Sequence, residues 1–331
     1  MNLNHLKIPE RVLIDEAYKR RIKRFHPKRG EIEEDYHRRM TGYRGEKEIS
    51  YFLDKLDPDQ FDIIHGLRLP CPNSDNFFQI DKLVLSTSIL PLNIEVKNWK
   101  CDIHFDKHLD QVIKIYPDKN KRERTQNPVL QAREQAQQLG MWLAQNGFGH
   151  FLIEYLFANS NEKSIITADP GYEHIFKKVC TGETLIEKIN QIAPLPNSLT
   201  KSSLKSIEDA LLAAHTPLKY NIQKMYEIPP KDVSTGVHCP KCNLLAMQFN
   251  KYGLWICLHC NYQSKTAYIP TINDYFLLIK PTITNAELRW FLQISSSDAA
   301  NYILKSLNLP FTGSKKGRIY YRPEKNFPFD E

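Results

Sequence analysis

Four residues on two apolar segments have the types and spacing that could do chemistry: Gln79 and Asp81 in FFQIDKLVLS, and Glu95 and Lys97 in PLNIEVKNW. Both segments are predicted to be β-strands. Side chains alternate along a strand, so Gln79 shares a face with Asp81, and Glu95 shares a face with Lys97. If the two strands are neighbours, the two carboxylates converge and the lysine lies beside them.

Two converging carboxylates are hard oxygen ligands for Mg²⁺ or Mn²⁺, which keep open positions for water and phosphate oxygens. A lysine beside such an ion can orient or help deprotonate a water and can offset charge in a phosphorane-like transition state. The pattern therefore predicts phosphodiester hydrolysis. The alternative is a surface salt bridge among Asp81, Glu95 and Lys97. The apolar sequence around Glu95 argues against it, because a buried carboxylate needs a partner or a metal.

A second pattern consists of two CxxC pairs separated by 14 residues: Cys239 and Cys242, then Cys257 and Cys260. Each pair presents two thiolates to one side of a tetrahedron, and an intervening hairpin brings the pairs together around one Zn²⁺. We predict a structural zinc ribbon, whose four thiolates leave no open position for catalysis. His238 and His259 flank the pairs and are alternative ligands, although we expect them to stay outside the ligand set.

The composition restricts the classes of protein that fit. Of 331 residues, 41% are hydrophobic, which excludes a disordered chain. No stretch of 18 apolar residues occurs, and the first 21 residues contain no apolar core of a secretory signal, so we expect a cytoplasmic protein without a membrane span. In that setting the CxxC pairs favour zinc over disulfides. The net charge of +7 is compatible with a polyanionic partner.

The hydrophobic pattern divides the chain into five parts. We predict a basic helical arm (1–41), a mixed α/β domain (42–192), a linker and helix (193–235), the zinc ribbon (236–268) and a C-terminal helical unit (269–331). In the α/β domain, Asn127 and Pro128 begin a helix that runs to about Gln145. The last part contains two helices and a basic hairpin, which suggests a winged helix-turn-helix. Its basic residues are predicted to bind nucleic acid: Lys315, Lys316, Arg318 and Arg322.

Several segments together resemble a known family. HPKRGEIEEDYHRRMTGYRGEKEI, FFQIDKLVLS, NIEVKNWK and NPVLQA are similar, in order and spacing, to the NERD (nuclease-related domain) proteins of Gram-positive bacteria. That domain is assigned to the PD-(D/E)xK nuclease superfamily. The resemblance covers most of residues 20–145 and, more loosely, the whole chain with its zinc ribbon. It implies an α/β (α+β) restriction-endonuclease-like core, with a mixed sheet flanked by helices.

The resemblance also implies roles for individual residues. Asp81 and Glu95 would be the metal ligands, and Lys97 the catalytic lysine. Gln131, on the helix after Asn127-Pro128, would face the site, and Glu46 would add a ligand or hold a water. An exposed helix position is the alternative for Gln131, and an acidic residue favoured by the helix dipole is the alternative for Glu46.

The sequence departs from the family pattern at two positions. Ile80 stands where a proline often precedes the aspartate, as is usual in this divergent branch. Cys101 stands where many relatives carry a glycine, which changes the turn after the second strand. Neither departure removes a catalytic group.

Three functions are compatible with these patterns. The first is a Mg²⁺- or Mn²⁺-dependent nuclease, with DNA favoured over RNA. The second is a nucleic-acid-binding adaptor with a degenerate nuclease fold, and the third is a zinc-ribbon regulator. The intact Asp81, Glu95 and Lys97 favour the first, and the third leaves the first 190 residues unexplained. Exonuclease and endonuclease action both stay open at this point.

Overall fold

The computed structural model describes residues 3–195, 199–250, 253–323, 327 and 329. Its helices are α1 (Glu10–Arg21), α2 (Arg29–Leu53), α3 (Pro128–Gln145), α4 (Leu185–Asn190), α5 (Lys201–Ala214), α6 (Ile222–Met225), α7 (Ile269–Leu278), α8 (Asn285–Leu292) and α9 (Ser297–Ser306). Among the described residues, no helix combines the length and the apolar character needed to span a membrane.

The strands are β1 (Phe61–Pro70), β2 (Phe77–Ser86), β3 (Leu92–Lys97), β4 (Asp102–Asp106), β5 (Gln111–Tyr116), β6 (Lys121–Thr125), β7 (Glu154–Asn159), β8 (Ile166–Ala168), β9 (Val179–Thr181), β10 (Met247–Phe249), β11 (Trp255–Cys257), β12 (Gln263–Ser264), β13 (Thr282–Ile283), β14 (Phe311–Thr312) and β15 (Ile319–Tyr321). The mixture of strands and helices confirms the predicted α/β class.

The chain forms two compact units. Unit 1 contains Met1–Ile8 and Met40–Lys219, and unit 2 contains Pro9–Arg39 and Tyr220–Glu331. The boundary between them falls within α2. Residues 1–41, which we treated as one basic arm, are thus divided between the units, and α1 belongs to unit 2. The predicted linker after residue 193 lies partly outside the described residues, since 196–198 are not described.

The main sheet of unit 1 has the strand order β1-β2-β3-β7-β9. β1, β2 and β3 are antiparallel neighbours, whereas β3, β7 and β9 run parallel. β3 is the central strand, and five of its six residues are buried. A near-continuous apolar run such as LNIEV suits this position, because both faces of a central strand are covered. The result is the predicted mixed sheet flanked by helices.

Helices cover both faces of this sheet. On one face, Ile49 and Leu53 of α2 pack with Ile94 and Val96 of β3. On the other face, Leu139 and other apolar residues of α3 pack with β1, β2 and α5. The start of α3 follows the predicted signals: the Asn127 side chain accepts a hydrogen bond from the Val129 amide at 2.9 Å, and Pro128 occupies the first turn. These caps fix where the helix begins over the sheet.

The side-chain alternation of β2 changes at Asp81. Ile80 packs in the same cluster as Leu83, although strict alternation would place these two residues on opposite faces. The partner strand shows the cause. Gly66 has a φ of +62° and lies between the residues that pair with Ile80 and Lys82. A glycine adopts this left-handed conformation without steric cost. The two strands therefore keep their pairing register, while the alternation of side chains between the two faces shifts by one residue at this point.

Residues 102–125 form a separate sheet instead of extending the main one. Its strand order is β6-β5-β4-β8, with β4 and β8 parallel and the other neighbours antiparallel. Ile103, Phe105 and Val112 bury one side of this sheet against Val129 and Phe157. Val129 belongs to α3 and Phe157 to β7, so this second sheet is packed onto the main domain of unit 1.

Unit 2 begins with α1 and has a single large apolar core, which includes Tyr18, Trp255 and Tyr275. β10, β11 and β12 form a small antiparallel sheet, in which Cys257 is the last residue of β11, while the other three cysteines lie outside its strands. The segment that follows runs α7, β13, α8, α9, β14 and β15, with the strand order β13-β15-β14. This is the helix-turn-helix plus hairpin arrangement that a winged helix requires. A capping box between Thr284 and Glu287 begins α8.

A buried ion pair connects α1 to α7 within unit 2. The Arg21 side chain is fully buried, and its Nε donates to the Asp274 carboxylate at 2.8 Å. The same guanidinium donates to the Gly236 carbonyl at 2.7 Å and to the Thr271 hydroxyl at 2.9 Å. Arg20 donates to the other Asp274 oxygen at 2.7 Å. Each oxygen of this buried carboxylate therefore has a cationic partner.

We expect Asp274→Ala to destabilise the protein strongly, because it leaves the buried Arg21 guanidinium without its counter-charge. The free energy of unfolding should fall by about 3–5 kcal/mol. The control is Glu16→Ala, which removes only the half-exposed carboxylate paired with Arg20 at 3.2 Å and should cost at most about 1 kcal/mol. Urea unfolding curves measure both, and similar losses in the two variants would contradict the expectation.

Candidate active site and cysteine cluster

Asp81 and Glu95 come together at the junction of β2 and β3. Lys82 pairs with Ile94 across these antiparallel strands. Asp81 and Glu95 therefore come next at the same end of this ladder, one on each strand. The Asp81 carboxylate reaches across and accepts a hydrogen bond from the Val96 amide at 2.9 Å. The strand register therefore places both acidic side chains at one point of the sheet.

The Glu95 carboxylate is almost fully buried and has a partner on each oxygen. Only 1% of the residue is exposed. Its Oε1 forms an ion pair with the ammonium of Lys97, which lies on the same face of β3. Its Oε2 accepts a hydrogen bond from the Gln135 amide at 2.9 Å. The carboxylate is thus held between its own strand and α3.

Gln135 is a site residue that the sequence analysis missed. Its side-chain oxygen accepts a hydrogen bond from Asn93 at 3.0 Å, and Asn93 also donates to the Ala132 carbonyl at 2.7 Å. Gln131, the glutamine expected to face the site, lies one helical turn earlier and makes no side-chain hydrogen bond to any residue that the structure describes. The i, i+4 spacing of Gln131 and Gln135 on one helix face was the available signal.

Glu46 and Lys82 extend the charged cluster toward α2. The Lys82 side chain is fully buried, and its ammonium lies 3.5 Å from the Glu46 carboxylate. This is an ion-pair distance, yet the ammonium makes no well-formed hydrogen bond within the described part of the chain. Glu46 therefore faces this cluster. It lies in the middle of α2 and not in the first turn of a helix, so the helix-dipole alternative is wrong. A lysine in the middle of an apolar strand was the sequence signal for Lys82, and we did not use it.

Burial and mutual repulsion disfavour the charged forms of these carboxyl groups. Burial, together with the charge of Asp81, raises the pKa of Glu46 to about 7, although Lys82 opposes the shift. Burial and Asp81 likewise raise the pKa of Glu95 to about 7, against the effect of Lys97. Burial also raises the pKa of Asp81, and it lowers the pKa of Lys82. The cluster thus contains more carboxylate than its two lysines can neutralise.

The donor set of this cluster fits a hard divalent cation. Its ligand atoms are all carboxylate oxygens, which Mg²⁺ and Mn²⁺ prefer, and Mg²⁺ is commonly bound by one or two carboxylates together with waters. Across the described residues, only the cysteines bring three or more ligand atoms within 4.8 Å of one another. A cation here would accordingly be held by the pair Asp81 and Glu95, with Glu46 farther out.

The four cysteines of unit 2 form a compact cluster. The sulfurs of Cys239 and Cys260 lie 3.6 Å apart, and those of Cys242 and Cys257 lie 3.7 Å apart. All four sulfurs lie within 4.8 Å of one another. This is the predicted set of four thiolates, and its geometry suits tetrahedral binding of a thiophilic metal such as zinc. Neither His238 nor His259 belongs to the set, as expected.

The two halves of the cluster have the same backbone design. Asn243 and Asn261, each directly after the second cysteine of a pair, adopt left-handed φ values of 57° and 58°. Their amides donate to the carbonyls of Cys239 at 2.9 Å and Cys257 at 3.0 Å, which closes a tight turn around each pair. Asparagine tolerates this conformation better than most residues. The backbone conformation thus holds the two cysteines of each pair close together.

The basic residues near the C-terminus that were predicted to bind nucleic acid are only partly available for that contact. Lys315 is exposed, whereas Arg318 is stacked over Phe311 at 4.3 Å from the ring centroid. Arg322 donates to the Glu10 carboxylate at 2.6 Å and already has an anionic partner within unit 2. The side chain of Lys316 lies outside the described residues. Lys315 and Arg318, on the loop between β14 and β15, are therefore better placed than Arg322 to meet a phosphate.

Comparison with known proteins agrees with this geometry. No curated protein and no solved structure matches the chain. The family model of the nuclease-related domain (NERD) matches residues 41–159, a segment that contains Glu46, Asp81, Glu95, Lys97 and Gln135. Residues 41–159 of unit 1 are therefore similar to the nuclease-related domain of the NERD family.

Proposed function

We propose that this protein is a metal-dependent nuclease that hydrolyses phosphodiester bonds of nucleic acid, with DNA favoured. The observation that carries the proposal is the meeting of the buried Glu95 with the partly buried Asp81 and Lys97 on neighbouring strands. A buried carboxylate lowers the stability of the fold unless partners or a cation compensate its charge, and such groups are common at functional sites. Their position within the segment that matches the nuclease-related domain supports the same reaction class.

Asp81 and Glu95 would hold Mg²⁺ or Mn²⁺. A bound ion of this kind supplies Lewis acidity toward the phosphate and lowers the pKa of a coordinated water. Asp81 keeps one carboxylate oxygen outside its hydrogen bond to Val96. The hydrogen bond from Gln135 fixes the direction of the Glu95 Oε2. Both ligands are thus oriented by the sheet and by α3 before any substrate binds, which reduces the reorganisation required.

Lys97 would act on the attacking water and on the phosphate. Its side chain is 28% exposed, so its ammonium can contact solvent and substrate while it remains beside Glu95. At that position, Nζ can orient a water, exchange a proton with it, or stabilise negative charge on a phosphate oxygen. Lys82 cannot take this role, because it is fully buried and faces Glu46. Lys82 instead balances charge within the cluster.

A second function, a nucleic-acid-binding adaptor with an inactive nuclease fold, is favoured by one observation. Both Glu95 oxygens already have protein partners, Lys97 and Gln135, so a cation would have to compete with the Lys97 ion pair. For either function, we propose that zinc fills the cysteine cluster and that Lys315 and Arg318 contact nucleic acid. Activity with metal distinguishes the two functions.

We expect Glu95→Gln and Lys97→Ala each to lower cleavage of DNA in Mg²⁺ or Mn²⁺ by about 10²–10⁴-fold, the range for loss of one acid–base or electrostatic group. The matched control is Lys121→Ala, which removes an exposed lysine that pairs with Glu123 on β6 of the same unit. Gel analysis of plasmid and linear substrates measures the rates. Equal product from the wild type and both site variants would remove the catalytic assignment, and binding without cleavage by the wild type would support the adaptor.

We expect the stabilisation by Mn²⁺ to grow with pH. Glu46 and Glu95 have a pKa of about 7 in the folded protein, against an ordinary value of 4.5, so between these values the folded state holds more protons than the unfolded state. The metal-free protein therefore loses stability as the pH rises through this window. A cation binds only the ionised carboxylates, so the Mn²⁺-induced rise in melting temperature should be larger at about pH 8 than at about pH 6. Glu95→Gln should abolish most of it, and a larger rise at the lower pH would contradict the expectation.

Metal analysis should give about one zinc per chain, because four thiolates bind a single tetrahedral ion. Cys257→Ser should lose the zinc and the stability of unit 2. The control Cys71→Ser, at a cysteine of unit 1 outside the cluster, should retain both. A zinc content near zero in the wild type would refute the zinc ribbon without bearing on the nuclease site.

A further inference from the structure

An open cavity of about 800 Å³ lies beside the candidate active site in unit 1. One wall is the connection between β1 and β2 (residues 71–76) together with the start of β2, and the other wall is the outward face of α3. Its volume lies within the range of binding sites for small molecules and cofactors. Neither the strand patterns nor the cysteine pattern of the sequence predicted it.

The cavity adjoins the candidate active site at Gln135. This residue lines the cavity and also donates a hydrogen bond to the Glu95 carboxylate. Gln79, which is two residues before Asp81, lines it as well. The side chain of Gln135 therefore lies between a group bound in the cavity and the Glu95 carboxylate.

Unused amide groups are the main polar feature of the cavity. Gln79, Gln131 and Gln138 line it, and none of their side chains makes a hydrogen bond to any of the residues that the structure describes. Each amide offers both a donor and an acceptor. Paired donors and acceptors of this kind match the hydrogen-bonding edges of nucleobases, as in the contacts of Gln and Asn with adenine.

The charges of the lining disfavour phosphate. Among the described residues that line it, Arg68 is the only basic one, against the two acidic residues Asp75 and Glu134. The Arg68 guanidinium already donates to the Thr216 carbonyl at 2.9 Å and lies 3.9 Å from the centroid of the Phe77 ring. A path for the sugar-phosphate backbone would need several free cations. Phe77 is 40% exposed, and its ring, together with the guanidinium plane, offers a stacking surface for a base.

The shape of the site separates single-stranded from duplex nucleic acid. Reading the edges of a duplex requires an element that protrudes into a groove. A concave cavity instead receives bases that are unstacked from their neighbours. We propose that this cavity binds unpaired nucleobases next to the scissile phosphate, so that the substrate is single-stranded where it is cut. The inference rests on the proposed function in that it takes nucleic acid as the ligand.

Fluorescence anisotropy without added Mg²⁺ or Mn²⁺ tests the inference without any cleavage and without a chelator that competes for the zinc proposed for the cysteine cluster. The probes are a labelled oligonucleotide of about 12 nucleotides, a size suited to single-strand-binding folds, the duplex of the same sequence, and a single strand with abasic positions. We expect the single strand to bind at least about tenfold more tightly than either other probe. Phe77→Ala and Gln138→Ala should each weaken its binding by about fivefold to a hundredfold.

Gln137→Ala is the matched control, since Gln137 is exposed on the same helix and does not line the cavity. Gln138→Glu keeps the size of the side chain and adds a negative charge, so it should weaken binding at least as much as Gln138→Ala. Melting temperatures equal to that of the wild type would show that these variants fold. Three results would each overturn the inference. They are a duplex that binds as tightly as the single strand, an abasic strand that binds as tightly as the intact single strand, and equal losses of affinity in Gln137→Ala and Gln138→Ala. Absence of cleavage in Mn²⁺ with the single-strand preference intact would refute the nuclease and leave standing only the binding of unpaired bases by this cavity.

Discussion

The repulsion among three acidic side chains, two on neighbouring strands and one on the helix α2, is the constraint on which the rest of unit 1 depends. Glu46, Asp81 and Glu95 are gathered where little solvent can screen them, and the interaction of two unit charges grows several-fold as the effective dielectric constant falls. Lys82 on one side and Lys97 on the other side partly compensate them. Such a cluster is stable only if protons or a cation supply the remaining positive charge.

The architecture around the cluster follows from the need to hold each of these groups in place. β3 is central, so Glu95 is fixed by strands on both sides, and α3 supplies the Gln135 hydrogen bond from above one face. The other face is covered by α2, whose apolar residues Ile49 and Leu53 secure the helix that carries Glu46. Apolar packing of two helices on opposite faces therefore determines the positions of the polar groups between them.

The sequence was sufficient for those parts of the fold that local rules control. The N-cap Asn127 and the following proline gave the start and length of α3, and the CxxC spacing gave the cysteine cluster. The sequence was insufficient where tertiary packing decides. The prediction of strict alternation along β2 did not take account of the left-handed Gly66 on the neighbouring strand, which changes the alternation of side chains at Asp81. Gln135 was missed because the i, i+4 spacing places Gln131 and Gln135 on one face of α3, and only the packing of α3 over β3 decides which of the two reaches Glu95.

The two candidate metal centres differ in a way that follows from their donors. The four cysteine sulfurs would saturate a tetrahedral ion, and the backbone turns at Asn243 and Asn261 hold them close together. The carboxylates of Asp81 and Glu95 offer fewer donors, and Lys97 competes for one of them. A saturated thiolate site stabilises a fold but leaves no position for a substrate. An undersaturated oxygen site has the opposite properties, because its missing ligands must come from water or phosphate. If this chain catalyses a reaction at a metal, donor chemistry alone therefore assigns that reaction to unit 1.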